Sequence, residues 1–402
     1  MKNTIGNTIA LTIFGESHGE CIGAILDGLP AGFEISLEKL AWEMEKRKAK
    51  GTLSTKRHEA DQVRIVSGFF EGRTTGTPLC LLIENTNTRS QDYAALKSRL
   101  RPGHADFSAF EKYHGYQDYR GGGHFSGRLT APVVAAGAIC RQILEAKGVK
   151  IATHIQVLHG IEDASFSSHP ALLETQMDAL NEAEFPAIDQ TQAQAMKAEI
   201  EKAAGDLDSV GGVLQSIVTG FPAGIGEPFF DSVESSLSHL LFSVPAVKGV
   251  SFGDGFGFAD LYGSQANDPL AVDEKGRIRT LTNRNGGING GITNGMPIVF
   301  QTCIKPTPSI YKPQDSVDYA TKQAVKLEIK GRHDPAIIHR ARAVVDSLSA
   351  FGLLDLWMQH EATLAFENMQ EKKAAFAPDS QNPKDDESRT DKENCKDKEG
   401  EM

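Results

Sequence analysis

The sequence has few cysteines, and they form no recognisable pattern. Five cysteines occur among 402 residues, and none lies in a CxxC pair or at a zinc-ligand spacing from histidine. An isolated, odd-numbered set of this kind argues against a disulfide framework and against a structural zinc site. The composition therefore favours a protein of a reducing compartment that has no metal site.

Long apolar runs and an excess of basic residues are also missing. No apolar run approaches the roughly 20 residues of a membrane span, and the N-terminus lacks a signal-peptide pattern. The net charge of -11 argues against a general nucleic-acid binder, because such proteins need a broad basic surface. We therefore expect a cytoplasmic protein that binds neither nucleic acid nor membrane, in which any anion site is a concentrated pocket.

One segment concentrates cations, histidines and glycines. It runs from Arg101 to Arg128 and reads RPGHADFSAFEKYHGYQDYRGGGHFSGR. Three consecutive glycines, Gly121 to Gly123, let the backbone approach a ligand closely or adopt positive φ, and the arginines supply permanent charge for carboxylates or phosphates. The segment predicts a loop that binds a polyanion, although composition alone fits a glycine turn beside solvated charges equally well.

A second pattern, Gly15 to Gly19, spells G-x-S-x-G. It is compatible with the nucleophile elbow of an α/β-hydrolase, in which Ser17 would attack the substrate. That elbow turns from a strand into a helix, whereas the residues from Cys21 to Pro30 are glycine-punctuated and end in proline, as in the second strand of a hairpin. We therefore favour His18 over Ser17 as the functional residue and keep a serine hydrolase as an alternative.

Three further segments are candidates for anion binding. The basic loop after Arg47 includes Arg57, the segment from Asn283 to Gly295 contains five glycines, and Lys305 to Ser309 places a lysine and hydroxyls on a proline-stiffened turn. Glycine-dense backbone and a lysine with hydroxyls are both suited to phosphate. Each segment also has a plainer interpretation, as a solvated loop or a hairpin tip.

Short strands bounded by glycine alternate with helices along the chain. Ser36 is placed to cap a helix over Leu37 to Arg47, and an Ala- and Gly-rich helix follows Arg128. Two polar helices, at 170–184 and 189–204, read as a surface excursion without chemistry, and a long helix covers about 336–366. The charged segment beyond Gln370 is expected to be disordered.

Taken together, these stretches resemble chorismate synthase, the flavin-dependent lyase family of the shikimate pathway. The resemblance rests on GESHG, RPGHAD, YRGGGHFSGRLTA, PAVKG, GGINGGITNG, KPTPS and GRHDP, which occur in this order over nearly the whole ordered chain. It implies an α+β fold, a sandwich of antiparallel β-sheets around central helices. The fold would form a single large domain over residues 1–370, followed by a disordered tail at 371–402.

The resemblance also implies the reaction. Members of this family form chorismate by an anti 1,4-elimination of phosphate from 5-enolpyruvylshikimate 3-phosphate. They need reduced FMN although there is no net redox change, and NADPH acts only indirectly as a reductant. A homotetramer is expected on the same basis.

Carried over motif by motif, the resemblance assigns roles to individual residues. The expected catalytic residues are His18, His104 and Asp334. The residues expected to hold substrate or NADPH are Arg47, Arg57, Arg101 and Arg128. The residues expected to hold the flavin and its phosphate are His124, Phe125, Ser126, Pro245, Ala246, Gly290, Lys305, Pro306, Thr307, Pro308, Ser309 and Arg332.

One departure from the family pattern concerns reduction of the flavin. The loop after Arg47 carries Thr52, Leu53 and Ser54 where the family usually has another basic residue, and the chain has no G-x-G-x-x-G on a strand-to-helix turn. The sequence therefore predicts a lyase without its own NADPH-dependent flavin reductase activity. Without the resemblance, the residues alone would indicate an anion-binding α+β protein, and a non-catalytic flavin- or phosphate-binding protein would remain an alternative.

Overall fold

The computed structural model describes residues 2–49, 61–86, 98–329 and 333–368. The chain divides into two compact units, Met1–His360 and Glu361–Met402. Within the second unit, the described residues 361–368 are helical. The expected domain boundary after residue 370 stays a prediction, because residues 369–402 lie outside the described part.

The first sheet has five antiparallel strands in the order β1-β2-β3-β7-β4. Its strands are β1 (Thr4–Ile5), β2 (Ala10–Gly15), β3 (Cys21–Asp27), β4 (Val63–Ser67) and β7 (Leu79–Glu84), and a short hairpin of β5 (Phe69–Phe70) and β6 (Arg73–Thr74) lies between β4 and β7 in the chain. Alternate residues of β7, namely Leu79, Leu81 and Ile83, are buried. This period of two orients one face of the sheet towards the core.

The second sheet also has five antiparallel strands, in the order β11-β16-β10-β8-β9. Its strands are β8 (Lys150–Leu158), β9 (Ile161–Glu162), β10 (Gly212–Thr219), β11 (Val247–Phe252) and β16 (Ile298–Ile304). Three separate two-stranded pairs are β12 (Leu270–Val272) with β13 (Ile278–Thr280), β14 (Ile288–Asn289) with β15 (Ile292–Thr293), and β17 (Gln314–Val317) with β18 (Ala324–Leu327).

The α-helices are α1 (Leu37–Arg47), α2 (Asp106–Tyr113), α3 (Thr130–Ala146), α4 (Pro170–Glu182), α5 (Gln190–Gly205), α6 (Val233–Leu241), α7 (Gly263–Ala266) and α8 (Ile338–Asn368). Ser36 caps α1 as expected, since its side chain accepts a hydrogen bond from the Lys39 backbone N–H at 3.2 Å. The triglycine segment lies in a 3-10 turn, Arg120–Phe125, in which all three glycines have positive φ.

Helix α3 and the part of α8 that belongs to the first unit, residues 338–360, lie between the two sheets. Helix α3 packs on β3 and β7 of the first sheet, and Gly137 allows its close approach to α8, because a Cβ there would lie 2.3 Å from the Ser347 Cβ. Asp346 of α8 accepts a hydrogen bond from the Thr153 hydroxyl of β8 at 2.5 Å, which ties α8 to the second sheet. The predicted sandwich of antiparallel sheets around central helices is confirmed.

Residues Gly127–Ala146, which include α3, are the one described segment that is long and apolar enough to cross a membrane. Most of the segment is buried inside the protein. Its apolar character therefore accounts for its place in the core, since a helix that is apolar on all sides must be covered by other elements.

Two expectations about local structure were wrong. The segment from Arg101 to Arg128 is not only a loop, because α2 forms within it where Asp106 occupies the first helical turn. The helices α4 and α5 are not merely a surface excursion, since each buries one face, through Leu173 and Met177 in α4 and through Met196 and Ile200 in α5. In both segments, packing against the rest of the protein determines the local structure.

Candidate active site

The triglycine turn lies between two histidines that are far apart in the sequence. A Cβ at Gly121 would lie 2.2 Å from His18 Cε1, and a Cβ at Gly122 would lie 3.3 Å from His104 Cε1. Positive φ at these positions favours glycine, and the missing side chains leave room for the two imidazoles. The turn therefore brings together the two histidines that the sequence singled out.

His18 lies in the tight turn between β2 and β3. Strand β2 ends at Gly15, which pairs with Ile22 of β3, so Ser17 is followed by a strand and not by a helix. The Ser17 N–H donates to the Gly123 carbonyl at 3.1 Å, and His18 Nδ1 lies 3.2 Å from the Ser17 hydroxyl. Both residues are buried. This hairpin geometry opposes the nucleophile-elbow interpretation of Ser17.

His104 is held by a carboxylate that also binds Arg101. His104 Nδ1 lies 2.7 Å from Asp106 Oδ1, and Arg101 donates to both carboxylate oxygens, at 2.7 and 2.8 Å. Arg101 NH2 also lies 3.0 Å from His104 Nδ1, so Nδ1 either donates to Asp106 or accepts from Arg101, depending on the tautomer, and Nε2 is the nitrogen on the side of Gly122. Burial raises the pKa of Asp106, but hydrogen bonds from Arg101 and His104 outweigh burial and hold this pKa well below its usual range.

We expect Asp106→Asn to lower turnover at least about 10-fold, because general acid–base groups contribute about 10²- to 10⁴-fold and the change leaves His104 present but poorly oriented. Asp106→Glu, which keeps the charge, should recover part of the loss. Steady-state kinetics of the three proteins measure the effect. Equal turnover in Asp106→Asn and the parent would contradict a positioning role for Asp106.

The contribution of Asp106 to the stability of the fold should depend on pH in a defined direction. Since the pKa of Asp106 is depressed in the folded protein, its carboxylate stabilises the fold above its ordinary pKa of 3.8, and this contribution falls as the pH drops below that value. Denaturant unfolding should therefore show Asp106→Asn to be less stable than the parent at pH 7, with a difference that shrinks below pH 3.8.

A second part of the site is built from two buried arginines that share one carboxylate. Arg47 NH1 lies 2.9 Å from Asp61 Oδ2, and Arg128 NH1 donates to Asp61 Oδ1. Arg47 also donates through Nε to the Thr130 hydroxyl at 2.9 Å. This buried cluster places two guanidiniums beside the Asp61 carboxylate, and guanidiniums bind carboxylates and phosphates through charge-assisted hydrogen bonds.

Asn85 joins the two parts of the site. Its amide nitrogen donates to the Glu16 and Gly19 carbonyls at 3.0 Å, and its amide oxygen accepts from Arg128 Nε at 3.1 Å. The turn that carries His18 is therefore connected directly to the arginine pair.

Arg340 extends this network to Asp334. Arg340 donates through Nε to the Arg47 carbonyl and through NH1 to Asp334 Oδ2, both at 2.9 Å. His18, His104 and Asp334 thus belong to one continuous series of contacts, although they are up to 316 residues apart in the chain.

The turn from Lys305 to Ser309 borders the His104 segment. Lys305 Nζ donates to the Gly103 carbonyl at 2.5 Å, and the Lys305 N–H donates to the Ala246 carbonyl at 2.9 Å. Ala246 has a φ of 77°, a strained value for a residue with a side chain. The predicted residues Pro245, Ala246, Pro306 and Pro308 accordingly lie on two neighbouring turns at one end of β11 and β16.

Two buried polar atoms near this turn have no hydrogen-bond partner among the described residues. They are the Thr307 hydroxyl oxygen and His333 Nε2. Burial lowers the pKa of His333, and the charge of nearby Arg101 lowers it further, so the ring tends to be neutral. Buried polar atoms are nearly always paired in proteins, so two unpaired ones indicate room for a polar ligand.

The other predicted flavin residues are distributed as follows. His124 donates through Nδ1 to the Gly15 carbonyl at 2.9 Å, the Ser126 hydroxyl accepts from the Arg128 N–H at 3.3 Å, and Phe125 is exposed. Gly290 precedes the first residue of β16, and Lys305 follows the last residue of that strand. The hairpin of β14 and β15, which contains Gly290, packs through Gly291 on Glu227 and Ser232. The role of Gly290 at the flavin stays a prediction.

Arg57 and Arg332 lie outside the described residues, as does the unusual loop at 52–54. Across residues 2–49, 61–86, 98–329 and 333–368, no group of three or more His, Cys, Asp or Glu residues is arranged to hold a metal ion.

Sequence reasoning missed four residues of this network, namely Asp61, Asn85, Asp106 and Arg340. Asp106 is the last residue of the RPGHAD motif, and its short spacing from His104 was the available signal. Asp61 could have been sought because a buried arginine requires a carboxylate nearby. Nothing local distinguishes Asn85 or Arg340 from other polar residues.

Comparison with known proteins gives a consistent result. The chorismate synthase family model matches residues 9–358. The chain is 43% identical over 357 residues to the chorismate synthase of Thermococcus kodakarensis, covering 89% of this chain and 98% of that protein. It is 40% identical over 367 residues to the chorismate synthase of Chitinophaga pinensis, covering 91% and 100%. A crystal structure of chorismate synthase superposes with a TM-score of 0.69 and 25% identity, covering 91% of this chain and 98% of that one.

Proposed function

The chain belongs to the chorismate synthase family, lyases of aromatic amino-acid biosynthesis, and we propose that it eliminates phosphate from 5-enolpyruvylshikimate 3-phosphate to form chorismate. The proposal rests on the continuous network that joins His18, His104 and Asp334 to the buried arginines. An anti 1,4-elimination needs a proton donor for the leaving group and a proton acceptor for the ring, and this network contains both kinds of group.

The charge of the site supports this substrate. 5-Enolpyruvylshikimate 3-phosphate carries two carboxylates and a phosphate, and the site offers Arg47, Arg101, Arg128 and Lys305 within an otherwise acidic chain. Guanidiniums bind such oxyanions with paired, charge-assisted hydrogen bonds. The chain's net charge of -11 would also discourage non-specific binding of polyanions elsewhere on the surface.

The residues present fit FMN. The Thr307 hydroxyl and His333 Nε2 are buried polar atoms without partners among the described residues, and both are suited to a polar ligand. Lys305 to Ser309 would hold the ribityl phosphate, while His124, Phe125 and Ser126 would lie along the ring. Reduced FMN would supply an electron-rich ring that assists the loss of phosphate and takes up the ring hydrogen without net redox change.

The protein's own groups would act as follows. His18 would donate a proton to the departing phosphate, and the buried turn around it would exclude water. His104, oriented by Asp106, would present Nε2 towards the flavin and hold a proton there. Asp334, fixed by Arg340, would help to accept the proton that reduced FMN would take up from the substrate ring.

Anaerobic incubation with reduced FMN and 5-enolpyruvylshikimate 3-phosphate tests the proposal. We expect stoichiometric release of inorganic phosphate and chorismate. A protein that only binds flavin or phosphate would release no phosphate. A serine hydrolase would instead be labelled by a fluorophosphonate and inactivated by Ser17→Ala, whereas a lyase would stay unlabelled, so labelling would contradict the lyase.

We predict that the enzyme has no intrinsic flavin reductase activity, because no dinucleotide-binding fingerprint is present and Arg47 alone supplies the matching charge in its loop. In oxygen-free assays, NADPH with oxidised FMN should give no sustained turnover, whereas dithionite-reduced FMN should. Activity with NADPH and no added reductase would show this prediction to be wrong.

A homotetramer in the cytoplasm completes the proposal. Several large apolar side chains between residues 229 and 281 are exposed, at 85% for Phe229, 91% for Phe230 and 89% for Phe256. Exposed apolar surface of this extent is typical of a protein interface, and a second copy of the chain is the occupant expected of a homo-oligomer.

We predict that truncation after Gln370 leaves assembly and activity unchanged, because the tail lacks the apolar residues needed to order itself or to bury an interface. Light scattering coupled to size exclusion measures the mass, with the full chain as the control. Dissociation to monomers on truncation would contradict this prediction.

A further inference from the structure

A cavity of about 280 Å³ adjoins the arginine network at Arg340. It is bounded by α1, the loop after α4, helix α5 and the start of α8. Its volume is close to the lower limit of known ligand sites, about 300 to 1,000 Å³, so its ligand would be small. The helices α4 and α5 are the ones for which the sequence suggested no chemistry.

The charge of this cavity changes with depth. Two cations lie inside it: the Lys46 side chain, which is 6% exposed and pairs with Glu43 at 2.7 Å, and Arg342, which is 2% exposed and lies near Asp346 and Glu43. Glu182, Glu184 and Glu201 are exposed at the mouth. Arg342 Nε is buried and has no hydrogen-bond partner among the described residues, although the same guanidinium donates to the Leu180 and Ala183 carbonyls. A buried, unpaired cationic donor favours an anionic group within reach.

Aromatic rings form part of the wall. Phe185 and His339 are stacked with their centroids 6.1 Å apart, Lys197 Nζ lies 5.3 Å from the Phe185 ring centroid, and Trp42 is half exposed at the edge. Burial lowers the pKa of His339 to about 3, so this ring is neutral at physiological pH. Flat aromatic walls around a small volume favour a planar ring.

We propose that this cavity binds a small aromatic carboxylate, with the carboxylate towards Arg342 and Lys46 and the ring against Phe185 and Trp42. Binding lowers turnover through Arg340, which lines the cavity and also donates to Asp334 and to the Arg47 carbonyl. A carboxylate that attracts the Arg340 guanidinium weakens both of those hydrogen bonds. The effect on turnover rests on the proposed function, whereas binding does not.

Equilibrium dialysis of the full chain with radiolabelled phenylacetate tests binding without any assay of activity. Trp42→Ala and Lys197→Ala should each weaken binding about 10-fold, a typical loss for an anchoring contact. Trp42→Phe should retain most of the affinity. Lys202→Ala is the matched control for Lys197→Ala, because Lys202 is an exposed lysine of the same helix that does not line the cavity.

Phenylacetate should also lower phosphate release by the parent and by Lys202→Ala, but not by Trp42→Ala at the same concentration. Absence of saturable binding, or binding that neither Trp42→Ala nor Lys197→Ala weakens, would overturn the site. Equal affinity for cyclohexylacetate would overturn its aromatic selectivity. Binding of phenylacetate without inhibition of phosphate release would overturn the coupling through Arg340. A chain that releases no phosphate even in the absence of phenylacetate would instead refute the proposed function.

Discussion

His104→Ala and His18→Ala are each expected to lower turnover by about 10- to 10⁴-fold, the range that general acid–base groups contribute. Both side chains lie against the triglycine turn and outside the hydrophobic core, so their loss removes proton transfer more than packing. Stopped-flow release of phosphate under anaerobic conditions, with reduced FMN in excess, measures the chemical step. Loss should appear in kcat and not only in KM, because these groups act in the transition state.

His159→Ala provides the matched control. His159 also pairs with a carboxylate, through Nδ1 to Glu199 at 2.8 Å, but it lies on an exposed turn after β8. Its replacement should leave turnover within about twofold of the parent, since surface substitutions away from special features have small effects. If His104→Ala and His18→Ala lose thermal stability in step with activity, the two histidines are structural and the proposed roles are wrong.

The sequence allowed the local elements and the motif-bearing turns to be predicted. The helix over Leu37–Arg47 and its Ser36 cap follow from local rules, and so does the hairpin after Gly15. These features depend on residues that are near one another in the chain. The identity of the reaction came from the order of the motifs, not from composition or charge.

What could not be predicted depends on contacts between distant residues. Asp61 meets Arg128 across 67 positions, and Arg340 meets the Arg47 carbonyl across 293 positions. Asn85 has no local signature, yet it joins the His18 turn to the arginine pair. Such residues acquire their roles only when the two sheets and their central helices fix the distances.

Local rules also fail where packing overrides them. A segment as rich in glycine and charge as that from Arg101 to Arg128 favours irregular structure, but Asp106 to Tyr113 forms a helix there. Asp106 serves two purposes in that helix, since an acidic residue in the first turn complements the helix dipole and the same carboxylate holds His104. The function of the residue and the start of the helix are therefore linked.

The second large effect on turnover is expected at Gly121, which lies against His18. We expect Gly121→Ala to lower turnover about 10²-fold, the cost of misplacing a reacting group by roughly 1 Å. The added Cβ would lie 2.2 Å from His18 Cε1 and 2.3 Å from His18 Nδ1, and His18 is buried in a tight turn that cannot retreat freely. The His18 imidazole must therefore move away from the place beside Gly121 that it occupies in the parent protein.

Backbone strain has to be separated from this displacement, since Gly121 has a φ of 58° and alanine there is strained in any surroundings. Gly148→Ala is the matched control, because Gly148 also has a positive φ, 85°, and a Cβ there meets nothing within 4 Å. Gly148→Ala should lose about 1 kcal/mol in denaturant unfolding through backbone strain alone, and Gly121→Ala should lose at least as much, while only Gly121→Ala loses turnover. Equal turnover in the two variants would mean that the position of His18 does not limit the reaction, and the role assigned to the triglycine turn would then have to be given up.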